Sequence, residues 1–258
     1  MAIELVRTPP LAVVILAAGK GRRMKNPDMA KVMYELHGKP MIDYVVSVAL
    51  KLEPKRTLLV LGWQKSAVIE YFQQQFLAVE FVEQLEQLGT GHAVLQAKEA
   101  LTDFIGDVLV LSGDVPLLTE ETVKALIGVH HAADAHATIL TAELPDPTGY
   151  GRIIRNKDAS VQKIVEQKDA SKKELAITEI NSGIYVFNKQ KLFEALELIK
   201  PNNKQGEYYL TDVFEHFWKE KLHVAAVKAL DPQEVMGIND PVQLESAKMV
   251  MENRMVKN

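Results

Sequence analysis

The chain of 258 residues is 47% hydrophobic and 25% charged, the make-up of a folded globular protein and not of a disordered or collagen-like one. Thirty basic against 34 acidic residues leave a formal net charge of −4, so nothing draws the whole surface to nucleic acid or an anionic membrane, and any anion site has to be local. With no cysteine, a disulfide framework, a thiolate nucleophile and Cys-based zinc or iron–sulfur centres are excluded, and a reducing cytosol is compatible.

The longest clean apolar run, residues 11–18, is far too short to span a bilayer, and no secretory leader pattern precedes it. A soluble, cytoplasmic protein is the expectation. Strand-like runs then alternate with helix-length amphipathic segments, the pattern of βαβ units around a mostly parallel sheet. Strands are predicted over 11–16, 56–61, 79–82 and 107–111, and helices over 40–51, 64–75, 89–101 and from Thr119 onward. The Thr119 hydroxyl can cap that last helix, with Glu120 and Glu121 at its positive end. The turn-rich Pro145-Asp146-Pro147-Thr148-Gly149-Tyr150-Gly151 breaks the alternation and precedes a predicted hairpin of 152–155 and 161–165. A strand over 179–187 and helices over 190–199 and 209–220 follow. Asp240-Pro241-x-Gln243 reads as an N-cap, a proline at the first helical position and a capping-box partner. The helix it opens would place Leu244, Ala247, Val250, Met251 and Met255 on one face, a stripe that needs something to pack on.

Leu16-Ala17-Ala18-Gly19-Lys20-Gly21-Arg22-Arg23-Met24 follows the first strand, where the carboxyl ends of parallel strands open into a ligand crevice. Its glycines allow close backbone approach to a phosphate, and its backbone N–H groups, Lys20, Arg22 and Arg23 supply positive charge. It has neither the Walker spacing nor the third glycine and downstream acid of a dinucleotide fingerprint. The residues alone are compatible with an anion site or with a basic βα turn that holds nothing. His92, His130, His131 and His136 lack metal-ligand spacing, and Lys163, Lys168, Lys172 and Lys173 read as a solvated face.

The glycine loop, Ala30-Lys31-Val32 and Gly38-Lys39-Pro40-Met41 together resemble the signature of the nucleotide-sugar pyrophosphorylases. Within that family, four further segments are similar to the uridylyltransferase domains of bacterial N-acetylglucosamine-1-phosphate uridyltransferases. They are Gln84 to Ala93, Gly113-Asp114-Val115-Pro116-Leu117, Asp146 to Ile153, and Gln205 to Asp212, joined by Glu166, Glu179 to Ile184 and Asn239. The match runs in order over about residues 11–245.

The resemblance implies a three-layer, Rossmann-like mixed α/β sheet of the nucleotide-diphospho-sugar transferase type with a β-rich sugar-binding lobe. Its nucleotide part would cover about 1–143 and its sugar part about 144–239, with a C-terminal helix over 240–258. The implied reaction joins UTP and N-acetylglucosamine 1-phosphate to give UDP-N-acetylglucosamine and pyrophosphate, with Mg²⁺ as cofactor. By the same resemblance, Arg23 and Lys31 are catalytic and Asp114 and Asn239 hold the metal, although Asp114 alone could be a turn aspartate and Asn239 a loop asparagine. Ala17, Ala18, Gly19, Lys20, Gly21, Gln84, Gly89 and Thr90 would line the nucleotide, the Gln84 amide offering both a donor and an acceptor to a base. Gly151, Glu166 and Asn181 would meet the sugar. Tyr208 and Tyr209 could wall the sugar pocket or belong to the core, at least one of them to the core.

Departures from the family pattern are Arg22 where threonine is usual, Ala30 where proline often precedes the lysine, one extra residue between Gly21 and Lys31, and Ser112 where tyrosine is frequent. Nothing after Asn239 reads as hexapeptide repeats, so no acetyltransferase activity is expected, and the apolar terminal helix could mediate self-association. Competing expectations are a thymidylyl- or cytidylyltransferase of the same fold and a non-catalytic nucleotide-sugar binder.

Overall fold

The computed structural model describes residues 8–24, 26, 28–75 and 77–257; the outer ends of the expected segments 1–143 and 240–258 lie outside the described residues. The chain begins with β1 (Leu11–Ala17), passes a 3-10 turn at Arg22–Met24 and another at Lys31–Met33, and forms the two-residue strands β2 (Glu35–Leu36) and β3 (Lys39–Pro40). Then come α1 (Met41–Lys51), β4 (Arg56–Leu61), α2 (Lys65–Gln74), β5 (Glu80–Glu83), α3 (Thr90–Leu95), β6 (Asp107–Ser112), α4 (Glu120–Ala132) and β7 (Ala137–Glu143). The second half holds β8 (Gly151–Arg155), β9 (Val161–Val165), α5 (Lys172–Leu175), β10 (Glu179–Asn188), α6 (Lys189–Leu196), a 3-10 turn at Leu210–Asp212 and α7 (Val213–Lys219). It ends with β11 (Val224–Lys228), a 3-10 turn at Pro232–Val235 and α8 (Pro241–Lys257).

The main sheet has the order β11-β7-β10-β6-β1-β4-β5, with β8 joined to β10 and β9 to β8. β1 pairs in parallel with β4 and β6, β4 with β5, and β7 with β11, while β10 runs antiparallel to both β6 and β7. Both faces of the central strands are covered, which is why β1 is apolar at every position and does not alternate. On one face Val13, Ile15, Leu59, Leu61, Leu109 and Leu111 pack against α1, α2 and α4 through Ile42, Val45, Val68, Phe72, Val123 and Leu126. On the other Ala12, Val14, Leu58, Val60, Val108 and Val110 meet α3, α6 and α7 through Ala93, Val94, Leu192, Phe193, Phe214 and Phe217. The result is the expected three-layer α/β arrangement. No helix among the described residues is long and apolar enough to cross a membrane.

A third, smaller cluster explains the stripe on α8. Leu244 and Ala247, with Val250 and Met251 beside them, pack on Met24, Leu36, Met41, Leu117 and Ile238, whereas Met255 is left 60% exposed. Asp240 caps as expected, its Oδ1 accepting from the Gln243 N–H at 2.9 Å, but the Gln243 side chain reaches one residue further back and accepts from the Asn239 N–H at 2.7 Å. That bond anchors the backbone of Asn239.

Two expectations need correction. Regular α-helix in α3 ends at Leu95 and gives way to successive turns as far as residue 103, where a helix to 101 was expected. The helix expected over 209–220 opens with a 3-10 turn before α7. The hairpin β8–β9 is present, and it continues the main sheet through β10: Ile180 pairs with Arg152 and Asn181 with Gly151. Arg155 Nε donates to Glu179 Oε2 at 2.7 Å and fastens the hairpin there. Further along, from Tyr185 to Asn188, the same strand pairs with β6. Between the two pairings lies an irregularity in register, with Gly183 at φ +79°, so the sheet forks at that point.

Candidate active site

The carboxyl ends of β1 and β6, the glycine loop and the start of α3 enclose a cavity of about 780 Å³. A recess of about 170 Å³ adjoins it at the fork of the sheet, and Leu16, Thr90 and Ser112 line both. Two glycines are required by close approach. At Gly21, φ is +58° and a Cβ would stand 2.6 Å from Lys31 Cβ; at Gly89, φ is +117° and a Cβ would stand 2.5 Å from Tyr208 O.

In the larger cavity Lys31 is the central charge. Its ammonium donates to Asp114 Oδ2 and, at 2.9 Å, to Asn239 Oδ1. Asp114 stands two residues past the end of β6, and its carbonyl accepts from the Ile238 N–H at 2.8 Å, which brings the Asn239 segment alongside. Gly237 N–H in turn donates to Tyr150 Oη at 3.1 Å. Burial pushes the Tyr150 phenol up, the Gly237 bond opposes this, and the Asp114 charge adds to the rise. Asp114 and Asn239 therefore present two hard oxygens to one point that a cation already fills. Their hard oxygen donors fit Mg²⁺.

Gln84 is buried beside the start of α3. Its Nε2 donates to Gly89 O at 3.1 Å and lies 2.9 Å from His92 Nδ1, an acceptor in the matching tautomer. His92 Nε2 in turn lies 3.1 Å from Gln96 Nε2, and a neutral ring accepts at one nitrogen only; in the tautomer that accepts at Nδ1, both Gln84 amide protons are used inside the protein and Oε1 is left for a ligand. Thr90 does not cap α3; its Oγ1 accepts from the Leu210 N–H at 3.0 Å.

At the recess Gly151, Glu166 and Asn181 converge. A Cβ on Gly151 would lie 3.5 Å from both Glu166 Oε2 and Asn181 Cβ, so the glycine leaves these groups open to a ligand. Glu166 Oε1 accepts from Thr211 Oγ1 at 3.2 Å. Burial pushes the Glu166 carboxyl up; the Thr211 bond pulls it back, and the Asp169 and Glu207 charges reinforce the rise.

Residues 12–231 match the family described as Nucleotidyl transferase. The chain belongs to the nucleotidyl transferase family. It is 49% identical over 241 residues to the bifunctional protein GlmU of Latilactobacillus sakei, covering 93% of this chain and 51% of that protein. It is 48% identical over 244 residues to GlmU of Streptococcus uberis, covering 95% and 52%, and 46% identical over 242 residues to GlmU of Enterococcus faecalis, covering 94% and 52%. The chain thus spans about half the length of the curated relatives it matches, which agree with the resemblance read from the motifs. Among solved structures, a UDP-glucose pyrophosphorylase complexed with UDP-glucose superposes with a TM-score of 0.77 at 18% identity, over 95% of this chain and 99% of that one; this shows a shared fold.

In this nucleotidyl transferase, Ala17, Ala18, Gly19, Lys20, Gly21, Lys31, Gln84, Gly89, Thr90 and Asp114 all line the larger cavity, and Gly151, Glu166 and Asn181 line the recess. Asn239 joins them through Lys31. Arg23 stands apart: it is exposed and does not line the cavity, whereas its neighbour Arg22 does. Both sit on one 3-10 turn whose third residue, Met24, is buried in the small cluster under α8. Lys20 is held at the rim with its ammonium 5.6 Å from the ring centroid of Trp63. Tyr209 is buried, in keeping with a core role for at least one of the tyrosine pair. Sequence reasoning did not single out Thr211 or Tyr185, both of which line the recess. Thr211 belongs to the 205–212 segment that carries the resemblance, while Tyr185 has the pattern of one more apolar residue of a strand. Lys163, Lys168, Lys172 and Lys173 are exposed as expected. Among the described residues no group of three or more His, Cys, Asp or Glu side chains could hold a metal ion.

Proposed function

We propose that the chain transfers a uridylyl group from UTP to N-acetylglucosamine 1-phosphate, releasing pyrophosphate and UDP-N-acetylglucosamine. The observation that carries this reading is the junction of the two cavities, with the basic glycine loop and the Lys31–Asp114–Asn239 set on one side and a recess of about 170 Å³ lined by Gly151, Glu166 and Asn181 on the other. An oxygen of the sugar phosphate attacks the α-phosphorus of UTP. A P–O bond forms on that side as the bond to the β-phosphate bridging oxygen breaks, and pyrophosphate leaves with the electron pair. No enzyme nucleophile is needed, so catalysis consists of alignment and charge neutralisation.

The Gln84 Oε1 acceptor suits the N3–H of uracil and opposes cytosine, whose N3 is itself an acceptor. Backbone N–H groups of the glycine loop, with Lys20 and Arg22, face the triphosphate end, and Lys31 neutralises the phosphoryl group in transfer. The family resemblance adds Arg23, which would have to turn toward the cavity. Gly151, Glu166 and Asn181 hold the sugar. Asp114 and Asn239 would hold Mg²⁺, which supplies charge neutralisation at the phosphate oxygens when bound. The setting is cytoplasmic, in line with the absence of cysteine.

Incubation with UTP, N-acetylglucosamine 1-phosphate and Mg²⁺, followed by chromatography, tests the proposal. Equal amounts of UDP-N-acetylglucosamine and pyrophosphate are expected; calorimetric binding of UDP-N-acetylglucosamine without turnover would make the chain a binder instead.

A further inference from the structure

Tyr185 is fully buried, and its ring packs against Phe187 and Phe214 with centroids 5.4 and 5.6 Å away. Phenylalanine would serve that packing equally well and would spare the cost of burying a hydroxyl. The hydroxyl instead reaches the recess, where it lies 2.9 Å from Asn181 Oδ1 and 2.6 Å from Asn181 Nδ2. It can donate to the first or accept from the second, and so spans the polar end of the carboxamide. The Gly183 N–H adds a bond to Oδ1 at 3.4 Å. A donor on that side fixes the atom there as oxygen, since a flipped amide would set N–H against N–H.

The backbone explains how the contact arises. Residues 181 and 185 flank the irregular stretch of β10 at which the strand changes partner from β8 to β6. That change lets a core tyrosine and a site asparagine touch at the fork.

We propose that Tyr185 is a positioning residue for sugar selection, its hydroxyl clamping in place the Asn181 carboxamide, whose facing the Gly183 N–H sets, so that an amide N–H is presented to an acceptor oxygen of the sugar phosphate. The inference rests on the reading of the recess as the sugar pocket. Burial and the nearby Glu166 charge hold the phenol well above its ordinary range, which keeps the hydroxyl neutral and able to donate at any working pH.

A double-mutant cycle of Tyr185→Phe and Asn181→Ala, with steady-state kinetics in both substrates, tests it. Tyr185→Phe should raise KM for N-acetylglucosamine 1-phosphate roughly fivefold to tenfold, the range expected for loss of one buried hydrogen bond. KM for UTP should stay within about twofold, because no contact of the hydroxyl reaches the nucleotide side. In the Asn181→Ala background the same substitution should add nothing, as Tyr185 acts only through that carboxamide. Thermal midpoints of all four proteins report folding separately. Independent, multiplying effects of the two substitutions, an equal rise in both KM values, or an unchanged sugar KM would each overturn the role of Tyr185. Failure of the wild-type chain to turn over any sugar phosphate would instead defeat the reading of the recess, and this inference with it.

Discussion

The Lys31 ammonium sits between Asp114 Oδ2 and Asn239 Oδ1 and joins positions 83 and 208 residues away in the chain. It occupies the point on which the two oxygens converge, where the proposed Mg²⁺ would bind. Lys31→Met should therefore tighten Mn²⁺ binding to the nucleotide-free chain by about tenfold, measured by electron paramagnetic resonance. Lys20→Met removes a charge from the same cavity without touching Asp114, and its effect should be smaller. Equal tightening in the two variants would reduce the Lys31 contact to general electrostatics. Asp114→Ala should lose both Mn²⁺ binding and turnover, by about a thousandfold or more, with its thermal midpoint little changed.

Gln84→Ala removes the side-chain acceptor proposed to face the base. The ratio of kcat/KM for UTP over CTP should fall by about tenfold or more, the scale of one specific polar contact. An unchanged ratio would place base selection elsewhere.

Beneath the sheet, at the opposite ends of the strands from the cavity, buried Asp107 accepts from His131 Nε2 at 2.9 Å and lies 3.6 Å from His130 Nε2. Burial alone would raise its carboxyl, but the two imidazoles, His131 by its hydrogen bond and His130 beside it, outweigh that, and the folded state holds the group below its usual range. A carboxyl lowered on folding stabilises above its unfolded pKa and loses that contribution as pH falls through the folded value. Asp107→Asn should thus cost about 1 to 3 kcal/mol near neutral pH. The gap to wild type should shrink below about pH 4, as read from thermal midpoints between pH 3 and 7. A gap that is constant across this range would contradict the assignment.

The apolar runs of β1, β4 and β6 were legible because strands covered on both faces need no alternation. β7 was not, because its Thr138 and Thr141 are fully buried and meet their needs through His130 and Glu179, partners that only the fold supplies. β11 is an alanine-rich, half-buried strand at the sheet edge, with a weak pattern of its own. At the site, the residue types around Gln84 could be read, but not that its amide nitrogen is turned to Gly89 O and His92 inside the protein. Which of Arg22 and Arg23 faces the cavity depends on the rotation of a single 3-10 turn, set by the burial of Met24. The partnership of Tyr185 with Asn181 arises at a fork in the sheet that no local pattern announces.

In the proposed reaction one cleft selects a uracil nucleotide and an N-acetylhexosamine phosphate together. Its most direct test is kcat/KM for pyrophosphate release with Mg²⁺, N-acetylglucosamine 1-phosphate and each of UTP, dTTP, CTP and ATP, repeated with glucose 1-phosphate. Turnover should be selective for UTP with the N-acetylated sugar. Preference for dTTP or CTP, or for glucose 1-phosphate, would contradict it.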